Sequence, residues 1–183
     1  YGEALYVECL QGKEKSFAYT NGWKRIVSND KPIIPPAFSN QEGSGDMYFK
    51  GALMLHTLRN VLDDDTKWLK IVYDFAQDFK GKIVKTEEVF AYFEKKMQKK
   101  VRTIFEQYLL YPQIPTFEYK IENSTLKYRW LADVEQFEMP VVLELDGKTI
   151  RLETSSVWQS LPYIGKEEAI KVRTDLFFVK TKK

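Results

Sequence analysis

Of the side chains that most often hold metals or attack substrates, this sequence has few: one histidine and one cysteine in 183 residues. The lone cysteine, Cys9, has no partner for an internal disulfide and reads as a small apolar residue on a helix. The lone histidine, His56, excludes a two-histidine zinc motif of the H-E-x-x-H kind within the chain and reads as a packing or surface residue. A His/Cys cluster, a glycine-rich phosphate loop and a G-x-S-x-G elbow are likewise missing. No apolar run approaches the ~20 residues that a membrane-spanning helix needs. Charge of one sign is lacking too. With 28 basic and 26 acidic side chains the formal charge is +2, which gives no reason to expect nucleic acid or an anionic membrane as a partner. The KKMQKK run at 95–100 and the closing KTKK then read as solvated charge near a helix end and at a tail. YGEALYVECL opens without an initiator methionine, a signal peptide or a capping residue, so it reads as a chain entered partway along a helix.

What remains is the composition of a folded protein. Hydrophobic residues make up 44% and aromatics 15%, over a length that suits one domain or two small ones. The spacing predicts helices over most of the first 115 residues. Gly2 to Gln11 forms the first, closed by Gly12, and Lys13 to Val27 the second, with a weak amphipathic pattern. The proline- and glycine-containing stretch Ser28 to Gly45 cannot be regular, and loops of that length are often functional. The best-defined helix follows, in DMYFKGALMLHTLRNVL. There Met47, Gly51, Met54, Leu55, Leu58, Val61 and Leu62 make one buried face and Asp46 is the expected N-cap. A helix from about Thr66 to Phe79 buries Trp68, Val72, Phe75 and Phe79. Thr86 is the expected cap of the next, which buries Val89, Phe90, Phe93 and Met97. The last helix, near Val101 to Leu110, ends at Pro112 and Pro115.

From Phe117 the period alternates. FEYKIENSTLKYRWL turns at Asn123-Ser124, and PVVLELDGKTIRLET turns at Asp146-Gly147, a pair suited to a type I′ hairpin. VWQSLPYI and AIKVRTDLFFVK supply further strands. The expected fold is therefore α+β. A helical subdomain over 1–115 precedes a small antiparallel β-sandwich or sheet over 116–183, joined at Gln113 to Thr116.

The run DMYFKGALMLHTLR resembles a segment of the gluzincin zinc aminopeptidases (the aminopeptidase N-like family) that reads approximately D-x-Y-x-K-G-x-x-x-L-x-x-L-R. The matching residues are Asp46, Tyr48, Lys50, Gly51, Leu55, Leu58 and Arg59. YGEALYVECLQG is similar to the helix that follows the family's third zinc ligand, a glutamate in a segment like N-E-G-F-A-T-Y, with Tyr1 as its last letter. TEEVFAYFEKKM and IFEQYLLYPQIPTFEYKI resemble the family's closing pattern of an acidic-capped helix, F-x-Q-W-L and a proline-containing passage to a sheet. Tyr108 stands where the family usually has tryptophan, and KKVRT replaces a glycine-rich lead-in.

The resemblance implies the C-terminal part of a thermolysin-like catalytic domain, beginning just after the third zinc ligand, from an enzyme that removes N-terminal residues from peptides. It implies zinc in the longer parent and none in this chain, since no residue here matches a ligand; Glu3 and Glu8 lie near that position and neither fits. It assigns one catalytic residue, Tyr48. In the family the zinc polarises the scissile carbonyl, and a neutral phenol donates to the oxyanion of the tetrahedral intermediate. The chain alone is then expected to be inactive. An apolar face around the first helix and Tyr48 is expected to be left open and to favour self-association. Two readings stand beside this one: a non-catalytic helical-plus-β binding module, with Tyr48 kept for packing, and a protein-interaction scaffold resting on exposed aromatics.

Overall fold

The computed structural model describes all 183 residues and has the α+β composition expected. Helices α1, Gly2–Gln11, and α2, Lys13–Gly22, are separated by Gly12 alone, whose φ of 88 lies where a side chain would be strained. Because α2 has little amphipathy, polar groups hold it: Ser16 Oγ donates to the Ala4 carbonyl at 2.7 Å, inside the α1–α2 contact. It ends at Gly22 and tightens into a 3₁₀ turn, Trp23–Arg25, which is earlier than the expected Val27.

Helix α3, Phe49–Leu62, is the centre of the molecule. The anticipated stripe is buried at Met54, Leu58, Val61 and Leu62, but Met47 is exposed. Beyond that stripe, Lys50, His56, Thr57 and Arg59 are buried as well. The helix is therefore enclosed nearly all round, which an apolar period alone does not predict. Helix α4, Asp65–Asp78, is capped by Asp64, whose carboxylate accepts the Lys67 amide at 2.9 Å. It buries Trp68 and Ile71. Helix α5, Thr86–Met97, begins one residue earlier than a Thr86 cap would require: Lys85 is the N-cap, and Glu88 reaches back to accept its amide at 2.8 Å. Helix α6, Arg102–Leu110, is capped by its neighbour, since Glu94 Oε1 accepts the amides of Val101 and Arg102. Phe90 and Phe105 stack at 4.8 Å between α5 and α6.

Seven strands follow in two sheets. Strands β1, Thr116–Glu122, and β2, Thr125–Leu131, form a hairpin. Positive φ at Asn123 and Ser124 makes its two-residue turn. Strands β3, Glu138–Leu145, and β4, Lys148–Ser155, form a second hairpin, closed by Asp146 at φ 48 and Gly147 at φ 78. With β5, Gln159–Pro162, β6, Ile170–Val172, and β7, Lys180–Lys182, the orders are β5-β2-β1-β7 and β4-β3-β6. One pairing differs from the all-antiparallel expectation: β7 runs parallel to β1. The chain reaches that edge only after Phe177, Phe178 and Val179 have been buried, so this apolar run docks as irregular backbone where a strand was expected. Trp130 joins the sheets, its Nε1–H donating to the Met139 carbonyl at 2.7 Å. The buried apolar residues of helices and sheets form one continuous cluster. No helix is long and apolar enough to cross a membrane.

Candidate functional site

Tyr48 follows a 3₁₀ turn, Gly45–Met47, and stands immediately before the first residue of α3. Its side chain is 72% exposed and its hydroxyl makes no hydrogen bond within the chain. Asp46 does not cap α3 as expected. Its carboxylate turns back to the start of the long loop and accepts the amides of Ser28 at 3.0 Å and Asn29 at 2.7 Å. No side chain caps α3, whose N-cap residue is Tyr48; Ser44 caps the 3₁₀ turn before it, its Oγ accepting the Asp46 amide at 3.1 Å. The stretch between is tied down. The Ser44 amide donates to Pro32 O and the Ile34 amide to Leu109 O, both at 2.9 Å.

The other residues of the motif turn inward. Lys50 is 0% exposed and donates to the carbonyls of Tyr111 and Pro112 at 3.0 and 2.7 Å, satisfying backbone left open at the end of α6. Burial pushes its ammonium down to about 8, against the pull of Asp46, Asp133 and Asp30. Arg59, 2% exposed, makes a two-pronged pair with Glu8 at 2.5 and 2.8 Å, and its Nε donates to Asp65 Oδ1 at 2.8 Å. Burial opposes its charge, but the hydrogen bonds it donates to Glu8 and Asp65 more than reverse this and raise its pKa. One side chain thus fastens α1 and α4 to α3. Leu58 is fully buried and Leu55 is packed against the core.

Two residues of the closing pattern bind helices to sheets. Gln107 Oε1 accepts the amides of Asp133 and Val134, while its Nε2–H donates to Gln113 O and Asp133 Oδ2. Tyr108, standing where tryptophan is usual, donates its hydroxyl to Phe178 O at 2.5 Å. The Phe178 amide donates to Thr57 Oγ1 at 2.9 Å.

His56 is buried beneath α2, edge-on to the Phe17 ring at 4.5 Å, with Nε2 2.9 Å from the Asp175 carbonyl. Burial holds its pKa at about 4, so it is a neutral donor to that carbonyl near neutrality. Cys9 is exposed on α1 rather than packed. No group of three or more His, Cys, Asp or Glu is arranged to hold a metal ion, and Glu8 is committed to Arg59. These residues do not fit a zinc site.

Beside Tyr48 lies a groove of about 390 Å³ whose walls are almost wholly apolar, formed by Met54, Leu55, Val72, Phe75, Val89 and Phe93 among others. Tyr1 and Tyr48 are both part of its lining. The Tyr1 hydroxyl accepts from Trp68 Nε1 at 2.9 Å, and burial raises its pKa. The sequence singles out Tyr48 through its resemblance to a motif, and it does not by itself give the buried roles of Lys50, Arg59 and Gln107. The signal available for these three was a charged or amide side chain within an otherwise apolar helix face.

No protein-family model matches the sequence, and no curated protein matches it. Among solved structures, the crystal structure of Legionella pneumophila aminopeptidase A in complex with aspartic acid is similar in fold. The TM-score is 0.63 at 14% identity over 98% of this chain. The chain spans 22% of the length of that structure. The likeness establishes an aminopeptidase-like fold.

Proposed function

We propose that this chain belongs to a zinc-dependent aminopeptidase of the gluzincin type, as the C-terminal part of its thermolysin-like catalytic domain, and that Tyr48 is its catalytic contribution. The observation that carries the reading is a contrast within one motif. Asp46, Lys50 and Arg59 are buried and engaged inside the fold, while Tyr48 alone among its polar side chains is held outward with an unused hydroxyl. A phenol so placed donates a hydrogen bond to an oxygen that gains negative charge as a peptide carbonyl becomes tetrahedral. The bond strengthens as charge develops, so it lowers the barrier more than it tightens substrate binding. The metal ligands and the general base are supplied by residues outside this chain, and the chain on its own is inactive. Its open apolar groove is the surface that packs on those residues, and in isolation it favours self-association.

The test is Tyr48→Phe in the longer protein that contains this chain. Loss of one such donor costs about 3 kcal/mol of barrier, so kcat falls on the order of 10²-fold while KM stays within a few-fold. An unchanged kcat excludes the role. The other reading is a non-catalytic binding module of the same fold, which has the same lack of metal donors within this chain. It predicts no H-E-x-x-H upstream and no peptidase activity in the longer protein.

A further inference from the structure

An exposed tyrosine has few contacts of its own to orient it. The direction of the Tyr48 phenol is therefore set at its root, by the backbone of the Gly45–Met47 turn and the first residue of α3. That turn is held by a buried carboxylate. Asp46 is 7% exposed, and it is in no salt bridge. Its Oδ1 accepts the Ser28 amide and its Oδ2 the Asn29 amide, at 3.0 and 2.7 Å. The two ends of the long loop are thereby joined at its neck. Asn29 sits at φ 51, a left-handed conformation that asparagine tolerates better than most non-glycine residues and that turns its amide toward the Asp46 carboxylate. Ser44 completes the neck: its Oγ accepts the Asp46 amide at 3.1 Å and donates to Asp30 Oδ1 at 3.0 Å.

The chemistry of this clamp is specific to a side chain with two acceptor oxygens. Two amides from adjacent residues approach one side chain, and only a carboxylate offers an acceptor to each. An asparagine offers one acceptor and turns an N–H toward the other amide. We propose, resting on the reading of Tyr48 above, that Asp46 is a positioning residue for the reaction. By accepting both the Ser28 and the Asn29 amides it closes the loop against the start of α3 and fixes the direction in which the Tyr48 phenol leaves the fold. A misplacement of about 1 Å at a catalytic donor is enough to lower turnover by orders of magnitude, while substrate held by other groups binds as before.

The experiment is a double-mutant cycle in the longer protein, with kcat and KM measured for Asp46→Asn, Tyr48→Phe and the pair. Asp46→Asn is expected to lower kcat by about tenfold or more with KM within about twofold. In the Tyr48→Phe background the same change is expected to lower kcat by less than about twofold, because there is no longer a hydroxyl to aim. A merely structural aspartate would give losses that multiply, and that result overturns the proposal. So does full turnover by Asp46→Asn beside a crippled Tyr48→Phe. Full turnover by Tyr48→Phe instead removes the catalytic reading, and this proposal with it. If Asp46→Asn does not fold, Ser44→Ala removes the acceptor of the Asp46 amide and leaves the carboxylate. It enters the same cycle with the same sign and a smaller amplitude.

Discussion

At Tyr48 a side chain contributes nothing visible to the fold that carries it, and at His56 the reverse holds. Tyr48 makes no internal hydrogen bond and is mostly solvated, so in this chain Tyr48→Phe should leave the urea midpoint unchanged, within about 0.5 kcal/mol. His56 is buried and neutral, with its pKa held at about 4 against an ordinary 6.5. Between those values the unfolded chain binds a proton that the folded one refuses. Its contribution is therefore whole above about pH 6.5 and is lost as pH falls toward 4. The full gap corresponds to about 3 kcal/mol. Urea midpoints measured from about pH 7 to about pH 4 should fall more steeply in the wild type than in His56→Gln, whose amide can still donate to Asp175. Parallel curves would show that the imidazole charges without penalty. Tyr48 stands out as a candidate in the sequence only because its neighbours resemble a known motif; an isolated tyrosine near a helix start carries no such message. The burial of His56 was not legible, because it depends on Phe17 and Asp175, far away in the chain.

Among the elements, those with a strong apolar period or a turn signal were read correctly. The amphipathic helices α3 to α6 and both hairpins fall within a residue or two of the expected bounds, and Gly12 and Asp146-Gly147 mark the breaks that glycine and positive φ require. The caps were read less well. Asp46 and Thr86 are good capping residues by type, but the Asp46 carboxylate is taken by the Ser28 and Asn29 amides, which leaves α3 without a side-chain cap. Lys85 with Glu88 opens α5, so that Thr86 is already its first residue. The end of α2, the parallel β7 and the irregular Phe177–Val179 segment depend on docking against distant parts, so local pattern could not give them. The fastening of α1 is also non-local. Removing the guanidinium in Arg59→Met leaves Glu8 and Asp65 without their shared cation. Because both carboxylates keep some contact with water, the loss should be about 2–3 kcal/mol rather than the larger cost of a sealed pair. Chemical denaturation measures it, and early proteolysis near Gly12 should accompany it. A variant as stable as the parent would show that α1 is held by its apolar contacts alone.

Taken whole, the molecule has a helical part and a β part that share one core. Gln107, the Tyr108–Phe178 bond, the His56–Asp175 bond and the Arg151 guanidinium on the carbonyls of Asn60 and Val61 all cross between them. So continuous a contact predicts one cooperative unfolding transition. Far-ultraviolet ellipticity, which follows the helices, and the fluorescence of Trp130, which reports the sheets when compared with a Trp130→Phe variant, should share one midpoint. Separate midpoints would mean that the two parts unfold independently. The aminopeptidase-like likeness covers 98% of the chain at only 14% identity, so it is a likeness of fold and not of side chains. On the function proposed above, this fold aims one phenol at a reacting carbonyl. The most direct measurement is a crystal structure of the longer protein bound to a phosphinic peptide, a stable mimic of the tetrahedral intermediate. Tyr48 Oη is expected within about 3 Å of a phosphinyl oxygen, at hydrogen-bonding geometry. A phenol more than about 4 Å from both oxygens, with the ligand fully bound, would contradict it.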